Sequence, residues 1–119
     1  MSVILEGPLA VKRTTLDVKV YKILEHFHGR LVAPYNKLYT YELGENVPDN
    51  PEKYCYYTGE GWLSVYTDRD RAESWMGLLA HDFPDKTYSI YEMTVPKGTE
   101  YLEHMNAQEL RTKKLIFNP

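Results

Sequence analysis

Gly61–Ala80, GWLSVYTDRDRAESWMGLLA, is the stretch on which the fold turns. Trp62 to Tyr66 is short, aromatic and β-branched, the composition of a strand. Thr67 then supplies a hydroxyl, and Asp70 stands three residues further on, where the acid of a capping box belongs. Ala72, Trp75, Met76 and Leu79 follow at helical spacing, so one helix face is apolar. The stretch predicts a strand running directly into a capped helix.

On the N-terminal side, Leu16–Glu25 (LDVKVYKILE) alternates, with Leu16, Val18 and Val20 on one face, and reads as the first core strand. His28-Gly29 ends it. Arg30–Ala33 reads as a short strand closed by Pro34. Lys37–Leu43 puts Tyr39, Tyr41 and Leu43 on one face of the next. Residues 1–15, with Gly7 and Pro8, read as an arm or edge segment. Residues 44–61 (GENVPDNPEKYCYYTGEG) read as one long loop, punctuated by Pro, Gly and Asn.

Beyond the helix, Phe83-Pro84 is a stop signal. Thr87–Val95 is a strand with Tyr91, Met93 and Val95 on one face. Pro96-Lys97-Gly98 is a turn with Pro expected at its first central position. Thr99–Leu102 resumes the strand. Asn106–Leu110 reads as a capped helical turn with Asn106 and Glu109 as the cap pair. Lys113–Phe117 closes the chain as a short strand. The expectation is a single α+β domain spanning 1–119. It has a mostly antiparallel sheet of five to six strands and one main helix packed on one face.

Net charge is −3 over 119 residues, so the basic footprint of a duplex nucleic-acid or anionic-membrane binder is missing. The single cysteine, Cys55, has no internal disulfide partner, which suits a reducing cytoplasm. No run approaches the ~20 apolar residues of a membrane span, and the N-terminus lacks a signal-peptide pattern. Tyrosine stands out, with 11 residues against 3 Phe and 2 Trp. A tyrosine buries its ring and keeps a polar tip, which suits half-buried interfaces and ligand pockets. An aromatic sheet face of this kind predicts self-association into a homo-oligomer.

Catalytic signatures are weak. His26 and His28 share a face of an extended segment but lack a third ligand, so no metal is expected. Cys55 has no adjacent base, and Ser64 lacks the glycine of a nucleophile elbow. Phosphate-cradling loops are absent, and no cofactor is expected. Arg69 and Arg71 are conspicuous because cations are disfavoured in the first turn of a helix. They either pair with Asp68, Asp70 or Glu73, or face an anionic ligand or partner. Together with Trp62, Tyr66, Tyr56 and Tyr57 they form the candidate binding site. Aromatic stacking plus arginine donors is what a nucleotide-like ligand needs.

Two resemblances add to this. The succession Gly61–Thr67, Ala72, Trp75, then Val95-Pro96-Lys97-Gly98-Thr99-Glu100-Tyr101 and a Lys-rich closing strand resembles small accessory proteins of phages and prophages. That resemblance covers about the last half of the chain. It implies a non-enzymatic cytoplasmic protein, of the anti-defence kind among others, that binds a host protein or sequesters a nucleotide-like small molecule. A structural virion component is an alternative. Separately, His28-Gly29 resembles the His-Gly that opens one class of ADP-ribosyltransferase NAD pockets, and GWLSVYTDRDRAESW resembles the strand, turn and helix that follow. That resemblance implies an NAD-using enzyme with Glu92 or Glu109 as its late glutamate, although Arg30 stands after His28-Gly29 where a Thr or Ser belongs.

Overall fold

The computed structural model describes residues 10–55, 60–103 and 108–118. Among them, β1 (Val11–Arg13), β2 (Val18–Phe27), β3 (Arg30–Ala33), β4 (Asn36–Thr40) and β5 (Gly44–Asn46) precede β6 (Leu63–Tyr66) and the helix α1 (Arg69–Asp82). Then come β7 (Tyr88–Val95), β8 (Glu100–Glu103), β9 (Glu109–Thr112) and β10 (Leu115–Phe117). The strands form one sheet in the order β1-β8-β9-β6-β2-β7-β10-β5, with β3 joined to β2 and β4 joined to β3. The strand pairings are antiparallel.

The chain is thus α+β, a mostly antiparallel sheet with one helix, but the described residues hold ten strands rather than five to six. The strands that raise the number are short. β1 lies within 1–15 as the edge strand beside β8, and β5 lies inside the stretch 44–61. Three residues are too few to show a period of two, so tertiary pairing alone makes them strands. Glu109 and Leu110, expected in a helical turn, belong to β9, where Leu110 pairs with Val65 and Glu103. Asn106 lies outside the described residues.

The helix starts one residue later than the capping box implied. Asp68, not Thr67, is the N-cap; its carboxylate accepts from the Asp70 backbone N–H at 3.1 Å. An ionised cap also complements the positive end of the helix dipole. In the turn after β7, the Thr99 N–H donates to the Pro96 carbonyl oxygen at 3.2 Å. Lys97 and Gly98 are therefore the central residues, and the left-handed φ of +84° falls on Gly98, where it costs least.

A two-residue corner bends the sheet. Only Lys113 and Lys114 separate β9 from β10. Laid flat, the order β9-β6-β2-β7-β10 would put these strands about 19 Å apart. Three residue steps span at most about 11 Å. The sheet has to curl, and the Thr112 hydroxyl pins the corner by donating to the Lys114 carbonyl and accepting its N–H.

Curling gives the sheet two dissimilar faces. The concave face encloses Val20 and Leu24 of β2, Leu63 and Val65 of β6, Met93 and Val95 of β7, Leu110, Leu115 and Phe117. The other face carries Ile23 with Tyr21, Tyr66, Tyr88 and Ile90, and is covered by Ala72, Met76 and Leu79 of α1. Alternation along β2 explains the division, because neighbouring side chains point to opposite faces. Leu16, expected beside Val18, stands 71% exposed before β2 begins. Leu24→Ala is expected to destabilise the fold by roughly 3 kcal/mol and Asp68→Ala by about 1 kcal/mol, whereas exposed Leu38→Ala changes little. Urea midpoints of the three variants check this ranking.

Candidate functional site

β2 has β7 along one edge for eight residues, from Val18↔Val95 to Glu25↔Tyr88. Its other edge is divided. Tyr21 pairs with Tyr66 of β6, and Glu25, His26 and Phe27 pair with β3. Between these two partners, Lys22, Ile23 and Leu24 have no paired strand on that side among the described residues. β6 and the β3–β4 hairpin diverge from this point, and a cleft of about 590 Å³ opens between them. That volume lies within the range of small-molecule sites.

The floor of the cleft includes Lys22, Ser64 and Arg111. Lys22 is only 5% exposed. Its ammonium donates to the Ser64 carbonyl oxygen at 2.7 Å and to Ser64 Oγ at 3.0 Å, and it lies 5.5 Å from the Tyr41 ring centroid. No carboxylate reaches Lys22 or Arg111 within ion-pair distance among the described residues. Burial, and secondarily the Arg111 charge, pull the Lys22 pKa down to about 7.

The walls are aromatic. Tyr39 and Tyr41 meet edge to face with centroids 4.8 Å apart. Buried Asn46 holds the turn beneath them, accepting from the Glu42 N–H and the Tyr39 hydroxyl while donating to the Glu42 and Gly44 carbonyls. Opposite stand Trp62, Tyr66 and Trp75. Trp62 Nε1 donates to the Pro51 carbonyl at 2.9 Å, and its ring packs on Tyr54 at 4.4 Å. Burial raises the phenol pKa values of Tyr39 and Tyr41, and that of Tyr66 to about 12. All three stay protonated donors at neutral pH. The hairpin wall is anchored by Lys37, which donates to buried Glu25 and to the Pro34 carbonyl, both at 2.8 Å.

The sequence-derived site divides. Trp62 and Tyr66 line the cleft. Arg69 and Arg71 do not: Arg69 pairs with Glu73 at 3.3 Å and stacks over Tyr21. Arg71 Nε is buried with no hydrogen-bond partner among the described residues. Tyr56 and Tyr57 lie outside the described residues. Lys22, Tyr39, Tyr41, Trp75 and Arg111 are the additions. Lys22 was legible as a cation in the middle of an apolar strand; Arg111 carried no such signal.

The residues singled out by the transferase resemblance are dispersed. His28 and Gly29 form the β2–β3 turn with φ of 50° and 79°, Glu92 pairs with Lys19 on β7, and none of them, nor Glu109, lines the cleft. No helix among the described residues is long and apolar enough to cross a membrane. Comparison with known protein families, curated proteins and solved structures gives no match.

Two tests follow from this geometry. Gly61, at φ +110°, closes the loop against Lys53: a Cβ there would lie 2.6 Å from the Lys53 carbonyl oxygen. Gly61→Ala is expected to displace the loop that holds Trp62, read as a red shift of Trp emission, with a loss of stability of roughly 1–3 kcal/mol. The second test concerns pH. Unfolded Lys22 has its ordinary pKa of 10.5, so from about pH 7 up to there the unfolded chain holds a proton that the folded chain has released. Stability therefore rises with pH from about 7. Above pH 10 it falls again, because unfolded tyrosines ionise before Tyr41 and Tyr66 in the fold. Lys22→Met is expected to flatten the rise between pH 7 and about pH 10 in urea titrations.

Proposed function

We propose that this protein is a non-enzymatic binding module that sequesters a nucleotide-like small molecule, a planar ring carrying an anionic group, in the cleft beside β2. The observation that supports this is a pair of cations, Lys22 and Arg111, without carboxylate partners among the described residues, on a floor walled by tyrosine and tryptophan. A bare cation beside protonated phenols attracts an anion and donates to its oxygens. The aromatic walls offer stacking for a base or similar ring. Asp49 and Glu60 also line the cleft, and the reading is of an accessory protein that withholds its ligand.

Both tryptophans of the chain line the cleft, so their fluorescence reports its occupancy. AMP, ADP-ribose and NAD are expected to quench it saturably, and uncharged adenosine to do so much more weakly. Arg111→Ala should weaken binding about tenfold or more, since a hydrogen bond to a charged group contributes roughly 1.5–3 kcal/mol. The Arg69→Ala, Arg71→Ala double variant should bind as the parent does. The opposite pattern would move the site to the helix start, and intact NAD after long incubation would separate sequestration from hydrolysis.

A second reading concerns self-association. β4 pairs with β3 alone among the described residues, and its Leu38 is 91% exposed. An uncovered edge with a large apolar side chain favours pairing with another strand, so a second copy of this chain is the proposed partner. Native mass spectrometry should show a dimer that Leu38→Glu converts to monomer.

A further inference from the structure

We propose that Lys22 is a nucleophilic amine that captures an anionic aldehyde or ketone in the cleft as an imine. The inference rests on the cleft being a ligand site and names the chemistry of what it holds. Three observations carry it. Lys22 is buried in the interior of a strand, yet its side chain lines a cavity of about 590 Å³ rather than filling a core. Its two hydrogen-bond partners, the carbonyl and hydroxyl of Ser64, are neutral, so no carboxylate holds its proton. Arg111 stands in the same cleft and opposes a second positive charge there while attracting an anionic substituent of the ligand.

These features leave a large fraction of the amine unprotonated at neutral pH, which is the form that attacks carbonyls. The step balances without any further reagent. The nitrogen lone pair forms a bond to the carbonyl carbon, and the C=O π pair moves to oxygen. The oxygen takes up a proton from the amine, for which the Ser64 hydroxyl, 3.0 Å from Nζ, is placed as a relay. Departure of that hydroxyl group with the second amine proton releases water and leaves the C=N bond. A buried amine with this reactivity retains its ligand far longer than stacking alone, consistent with sequestration.

Pyridoxal 5′-phosphate serves as the probe, an aromatic aldehyde with an anionic group. The wild-type protein is mixed with a slight excess at pH 7, reduced with borohydride, and mapped by peptide mass spectrometry. Lys22 is expected to carry the reduced adduct at least about tenfold ahead of exposed Lys19, because Lys19 stands outside the cleft and pairs with Glu92 at 3.8 Å. Tryptophan quenching is followed in parallel. Quenching without a Lys22 adduct would overturn the imine proposal and leave the cleft as a non-covalent site. An adduct spread over the exposed lysines without quenching would overturn both. Lys22→Met, which removes the nucleophile, should lose the adduct.

Discussion

Every backbone donor and acceptor of an interior strand needs a partner, and β2 meets that demand with two different neighbours along one edge. β6 takes the N-terminal part and β3 takes the C-terminal part. The three residues between have no paired strand on that edge among the described residues, and Lys22 turns its amine onto the Ser64 carbonyl of β6. That contact fastens β2 to β6 beside the gap. It also places a cation where the cavity opens. The cleft is a consequence of strand divergence, not of a separate loop grafted onto a finished sheet.

The corner between β9 and β10 acts on the same geometry from the other side. Because two residues must connect strands on opposite sides of β6, β2 and β7, the sheet closes around Val20, Leu24, Met93 and Val95. Arg111 of β9 stands opposite Ser64 through the direct pairing of β9 with β6. The corner thus helps to enclose the main apolar core, while α1 shields the remaining face and contributes Trp75 to the lining of the cleft.

The residues expected to form one site at the helix start fall in different surroundings. Arg69 and Arg71 look conspicuous because they oppose the dipole, and Arg69 resolves that conflict by pairing with Glu73 and stacking on Tyr21. Trp62 was expected as a stacking platform. It lines the cleft, but its indole N–H also fastens the preceding loop through Pro51, so it shapes the wall as much as it faces the cavity. Tyr66 does both as well, packing towards α1 while its hydroxyl environment keeps it protonated.

Local pattern was enough to specify the strand–helix unit at Leu63–Asp82, the long strands β2 and β7, and the stop at Phe83, because apolar period and capping chemistry are properties of neighbouring residues. Strand number was not legible, since β1 and β5 are three residues long and exist only through pairing with β8 and β10. Nor was the cleft. Lys22, Tyr41 and Arg111 are separated by up to 89 positions by their residue numbers, and what joins them is the divided edge of β2 and the pairing of β6 with β2 and β9. Side-chain chemistry is written in the chain; which side chains share a cavity is set by how a twisted sheet satisfies its hydrogen bonds and its connections at once.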